Sequence, residues 1–150
     1  MTIAILNGPN LNKLGTRKPD IYGSRTMAQI LIDIQQQWPD IHFLYRQTNH
    51  EGVLIDWLQE LSEVRFQPSD LCGIVLNAGG YSHTSVALRD AVEDCEIPVV
   101  EVHISDISRR EPFRANSLLT DVCAYSIKGI GTQCYAEGVK WLLLTQNKTQ

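Results

Sequence analysis

Acid–base chemistry needs a few titratable side chains gathered in one place, and this sequence concentrates them at the ends of its apolar runs. Asn77 and His83 lie in the polar, glycine-rich stretch NAGGYSHTS (77–85), directly after the run Leu71–Leu76. Glu101, His103 and Ser105 close the next run, with Arg114 beyond them; Arg17 and Tyr22 stand in the connection that leaves the first run. Asn49, His50 and Glu51 follow the second, so three of the four histidines sit at run ends. Histidine titrates near neutrality and is the side chain most used as general acid or base. A phenol ordinarily ionises near pH 10 and serves as a base when a cation stands beside it. Arginines bind anionic groups through charge-assisted hydrogen bonds. Together these residues point to proton transfer on a small anionic ligand.

Taken singly, each has a plainer use. Asn7 and Asn10 suit Asx turns around Pro9, Asn49 suits the N-cap of a helix, and Ser82 or Thr84 suits the cap of the next. His83 or His103 alone would be a hydrogen-bonded structural histidine, and Tyr22 a surface anchor. Their convergence favours a site. The sequence has no G-x-S-x-G elbow, P-loop or H-E-x-x-H. GIGTQC (129–134) is a broken G-x-G-x-x-G on the last strand, better suited to a tight turn than to a dinucleotide. His83, His103 and Glu101 lack convincing metal-ligand spacing.

The elements that must position these groups alternate in type. Residues 2–7, 41–47, 71–77, 97–103 and 122–127 are strand-like, most of them nearly continuously apolar, as strands buried on both faces are. Met27, Ile30, Leu31, Ile34 and Trp38 share one helical face, with Thr26 and Gln29 placed for a capping box and Pro39 past the end. Val53, Leu54, Trp57, Leu58 and Leu61 form a second face, Ala87, Leu88, Ala91 and Val92 a third, and Tyr135, Val139, Leu142 and Leu143 a fourth. The order β-α-β-α-β-α-β-loop-β-α predicts an α/β, doubly wound five-stranded parallel sheet with right-handed crossovers, helices on both faces and the flavodoxin-like order 2-1-3-4-5. Ligands bind such sheets beyond the carboxyl ends of the strands, where the candidate residues stand. The connections 8–24 and 104–120 are long for a compact domain, which favours function.

At 150 residues the expectation is a single domain over 1–150, with 146–150 as a frayed tail. A net charge of −4 gives no long-range pull toward nucleic acid or anionic membrane, and no run approaches 18 apolar residues. Cys72, Cys95, Cys123 and Cys134 form no C-x-x-C pair and suit buried thiols in a reducing, cytoplasmic compartment.

Five blocks in order, NGPNLNKLGTRKPDIYG (7–23), NHEGVLID (49–56), NAGGYSHTSVALRDA (77–91), IPVVEVHISDISRREPFR (97–114) and GIGTQCY (129–135), resemble the signature blocks of type II 3-dehydroquinate dehydratases. The resemblance implies a flavodoxin-like lyase without cofactor or metal, assembled as a dodecamer of four trimers. It would dehydrate 3-dehydroquinate to 3-dehydroshikimate, in the shikimate pathway of aromatic biosynthesis or in quinate breakdown. Carried over, Tyr22 is the base and Arg17 its cation, in a lid over residues 12–24. Asn77 holds a water under the enolate, and His103, oriented by Glu101, is the acid. The resemblance places the substrate carboxylate on Ile104 and Ser105, ring hydroxyls on His83 and Arg114, and Asp90 at a neighbouring subunit's site. Ala78, Gly80 and Asn116 depart from the family's usual Pro, Ala and His. Two other readings are a non-catalytic flavodoxin-like module for flavin or a phosphorylated ligand, and a catalytically idle relative.

Overall fold

The computed structural model describes residues 1–63 and 68–146. The elements are β1 (Thr2–Asn7), a four-residue α1 (Pro19–Tyr22), α2 (Met27–Gln37), β2 (His42–Gln47), α3 (Glu51–Ser62), β3 (Leu71–Asn77), α4 (Val86–Glu93), β4 (Val99–His103), β5 (Tyr125–Lys128) and α5 (Gln133–Gln146). The strands form one sheet in the order β2-β1-β3-β4-β5, every neighbouring pair parallel. Alternate side chains of β1 explain why both faces need cover. Ile3 and Ile5 pack with Ile30 and Ile34 of α2 and with Val139 and Leu142 of α5, whereas Ala4 and Leu6 pack with Leu54 and Leu58 of α3 and Leu88 of α4. The continuous apolar runs are thus strands with no wet face. Among the described residues no helix is long and apolar enough to cross a membrane.

Local signals placed most boundaries. Thr26 accepts from the Gln29 N–H while Gln29 Oε1 accepts from the Thr26 N–H, the expected capping box. Two expected caps differ. Asn49 does not cap α3: its carboxamide oxygen is taken by the Asn10 N–H (3.0 Å) and Gln47 Nε2 (3.2 Å), and His50 holds the cap position with no side-chain bond. Neither Ser82 nor Thr84 caps α4. Residues Gly79–His83 form a 3-10 turn, Ser82 donates back to the Gly79 carbonyl, and Ser85 is the cap instead. Asn7 and Asn10 form no Asx turn around Pro9; Asn7 is buried against Tyr135, and Asn10 takes a left-handed conformation. The last strand begins at Tyr125 rather than 122, because the Val122 and Cys123 N–H groups bond to the Leu119 carbonyl in a turn. Gln146 ends α5, and 147–150, the rest of the expected frayed tail, lie outside the described residues.

Asn7, Gln47 and Asn77 lie level in the register, so the strands deliver their last residues to one edge. The backbones crowd there. A side chain on Gly8 would come within 2.5 Å of the Ala78 carbonyl oxygen, and Gly79, at φ +59°, would bring one to 3.1 Å from the Pro9 carbonyl oxygen. Glycine is required at both positions by close approach, and at Gly79 also by its dihedral.

Candidate active site

A cleft of about 170 Å³ opens at this edge, lined by Arg17, Tyr22, Asn77, His83, His103, Ile104, Ser105 and Arg114 among the expected residues, together with Arg110. Glu101 stands behind His103, out of contact with solvent. Asp90 is exposed on α4 and does not line the cleft. His50, at the start of α3, does not line it either.

β4 alternates, and Glu101 and His103 share a face two residues apart. His103 Nε2 donates to Glu101 Oε1 at 2.7 Å. The carboxylate accepts three hydroxyls besides: Ser117 on the same oxygen, and Thr120 (2.7 Å) and Ser126 (2.8 Å) on the other. A carboxylate offers about four acceptor positions, and all are used. Burial pushes the Glu101 carboxyl up, but the His103 hydrogen bond and charge and the Ser117 and Thr120 hydroxyls outweigh it and bring it down to about 2. A fixed negative charge therefore sits behind the imidazole. It fixes Nε2 as the inner nitrogen and leaves Nδ1 for chemistry in the cleft.

Tyr22 ends α1, in the long connection after β1. Two buried leucines, Leu11 and Leu14, pin that connection into the core. The phenol oxygen accepts a hydrogen bond from Arg110 Nη1 at 2.8 Å, the direction in which a phenolate would be held. The guanidinium carbons of Arg17 and Arg110 each lie 5.6 Å from the Tyr22 ring centroid. Arg17 is thus one of two cations, and the other makes the hydrogen bond. Glu111 Oε2 braces this corner, 3.6 Å from Arg110 Nε and 3.2 Å from Arg114 Nε.

Asn77 ends β3 with both ends of its carboxamide engaged: Oδ1 accepts from the Gly79 N–H (3.2 Å) and Nδ2 donates to the Tyr135 phenol (3.0 Å). His83 Nδ1 donates to the Asn116 carbonyl at 2.8 Å, which leaves Nε2 as the hydrogen-bond acceptor of the neutral ring. The His83 and His103 rings lie 6.3 Å apart. Ile104 is fixed by the Gly131 N–H bonding its carbonyl, so GIGTQC serves as the tight turn expected of it.

The sequence model described as "Dehydroquinase class II" matches residues 1–143. The chain belongs to the class II dehydroquinase family. It is 46% identical to "3-dehydroquinate dehydratase" of Azorhizobium caulinodans over 147 residues, covering 97% of this chain and 95% of that protein. Its identity to the protein of the same name from Chlorobaculum tepidum is 43%, covering 98% and 97% of the two chains. The crystal structure of the type II dehydroquinase from Butyrivibrio crossotus superposes with a TM-score of 0.86 at 38% identity, covering 95% of this chain and 97% of that one. That from Propionibacterium acnes gives 0.84 at 32% identity, covering 94% of each chain.

In this class II dehydroquinase, two of the three departures, Gly80 and Asn116, leave the hydrogen bonds of the site in place. Asn116 presents only its backbone carbonyl to His83, so the side chain there is free to vary. Gly80 has open space around its Cβ position and no positive φ, so alanine fits. Gly80→Ala is expected to stabilise the fold by about 0.4–1 kcal/mol, chiefly by restricting the unfolded chain. A denaturant titration reads it as a higher midpoint at unchanged slope.

Four participants escaped the sequence reading. Arg110 carried a visible signal, as one of three arginines in the 104–120 connection. Ser117, Thr120 and Ser126 carried none, because hydroxyls at ordinary loop and strand positions have no distinctive spacing.

Proposed function

We propose that this chain converts 3-dehydroquinate to 3-dehydroshikimate by anti elimination of water, with Tyr22 as base and His103 as acid. The observation that carries this reading is the Arg110–Tyr22 hydrogen bond in the same cleft as the Glu101–His103 pair. One oxygen is held ready to take a proton, and one ring nitrogen is left to give one.

Tyr22 removes the C2 proton, and the C–H electron pair moves onto the ketone oxygen to form an enolate. Arg17 and Arg110 hold the base through the step. Asn77 stabilises the enolate oxygen through a bound water, a positioned donor for charge that develops in the transition state. The pair then returns to form the C1–C2 double bond, and His103 protonates the departing C1 hydroxyl, which leaves as water. Glu101 compensates the imidazolium that gives up that proton. Ile104 and Ser105 receive the substrate carboxylate, and Arg114 and His83 the ring hydroxyls, His83 accepting through Nε2. Closure of residues 12–24 excludes water during the reaction.

In this reading residues 1–150 act as one catalytic domain in the cytoplasm, in aromatic biosynthesis or quinate breakdown. Copies assemble into trimers and a dodecamer, and Asp90 reaches the neighbouring subunit's cleft. Its exposed position outside its own cleft supports that role. Purified protein given 3-dehydroquinate is expected to generate a conjugated enone absorbing in the near ultraviolet. Absence of that absorbance from folded, assembled protein would refute the reading.

A further inference from the structure

Behind Asn77 stands a buried tyrosine that none of these roles uses. Tyr135, in the first turn of α5, has no solvent exposure. Its phenol accepts from Asn77 Nδ2 at 3.0 Å and donates to Asn7 Oδ1 at 2.9 Å. Asn7 and Asn77 are register partners at the ends of β1 and β3, and Asn7 Nδ2 reaches the Tyr45 phenol on β2 at 3.5 Å. One helix thus ties together three strand ends.

The direction of every bond in this chain follows from one fixed donor. The Gly79 N–H can only donate, so Asn77 Oδ1 must face it and Nδ2 must face Tyr135. The Tyr135 oxygen therefore accepts from Asn77, and its own hydrogen goes to Asn7. Burial holds the Tyr135 phenol well above the ordinary range, so it keeps that hydrogen. Asn77 has one Nδ2 hydrogen left, and Asn77 lines the cleft.

We infer that Tyr135 is a positioning residue for the dehydration: it fixes the Asn77 carboxamide so that its one free N–H is aimed at the water that serves the enolate. The inference rests on the reading of Asn77 as the group that serves the enolate. Gly79 alone would leave the carboxamide free to swing about its oxygen. With Tyr135 it is held at both ends, and a donor must be aimed before charge develops if it is to lower the barrier.

A double-mutant cycle tests this, with kcat, KM and melting temperature measured for the wild type, Tyr135→Phe, Asn77→Ala and the double variant. Tyr135→Phe keeps the ring and removes only the hydroxyl. It is expected to lower kcat about ten- to a hundredfold with KM changed less than about threefold, as misaimed catalytic groups do. In the Asn77→Ala background the same change is expected to alter kcat less than about twofold, while still lowering the melting temperature. Loss of kcat by equal factors in both backgrounds, or wild-type kcat in Tyr135→Phe, overturns the inference and leaves the reading of Asn77 intact. Wild-type kcat in Asn77→Ala overturns both. If Tyr135→Phe does not fold, the cycle is run with Asn7→Ala, which removes the acceptor of the Tyr135 hydroxyl. A smaller kcat loss that disappears without Asn77 then supports the inference, and a loss that persists without Asn77 overturns it.

Discussion

Glu101→Gln is expected to lower turnover about a hundredfold or more while most of the stability survives, and Glu101→Ala to lower both. The difference follows from the four donors around the carboxylate: the His103 ring and three hydroxyls. Hydroxyls also accept, so a glutamine can turn its NH₂ toward Thr120 and Ser126 and keep its oxygen for His103 and Ser117. The shape and most of the bonds remain, but the charge that compensates an imidazolium is gone. Alanine leaves all four donors facing an empty, dry space. Removing one partner of a buried pair costs about 3–5 kcal/mol, read as a fall of roughly 10 °C in melting temperature for a chain of this size.

The same carboxyl supplies a pH signature. Glu101 is held at about 2 against an ordinary 4.5. A group whose folded-state value is depressed contributes stability above its unfolded value and loses that contribution as pH falls through the folded one. The wild type therefore loses stability between about pH 4.5 and 2 that Glu101→Gln, with no carboxyl there to protonate, does not lose. Denaturant midpoints for both proteins across that range measure the difference. Parallel curves would mean that Glu101 is not the depressed group.

What the sequence disclosed and what it hid divide along physical lines. Burial is a bulk property that periodicity reports well, so the apolar runs placed the strands, their order and the helix faces, Tyr135 included. Strand ends inherit that accuracy, and Asn77, Glu101 and His103 fell where the sheet puts them. Caps were less legible, because several polar residues can serve one helix: before α4, Ser82, Thr84 and Ser85 all have suitable side chains, and tertiary partners decide which is left free to cap. Least legible were contacts between distant segments. Arg110 meets Tyr22 across 88 residues and Tyr135 meets Asn7 across 128, and no local spacing encodes either. The resemblance gave Arg17 as the cation of Tyr22, yet the hydrogen bond comes from Arg110.

Tyr22→Phe is the second large effect, with kcat expected to fall about 10³-fold or further. The ring stays in place for Arg17 and Arg110 to pack against, each 5.6 Å from its centroid, so KM should move only a few-fold. What disappears is the oxygen of the proposed base, which Arg110 holds at 2.8 Å. Arg110→Ala removes the other half of that bond and is expected to cost a comparable factor. Because the two act as a unit, the double variant should be little worse than Tyr22→Phe alone. Proton removal can also be followed apart from loss of water, by deuterium entering C2 of the substrate in heavy water. On the proposed roles, Glu101→Gln impairs the acid and leaves the base, so exchange should persist while dehydration slows. In Tyr22→Phe both should stop together. Exchange at the wild-type rate in Tyr22→Phe would move the base to another residue.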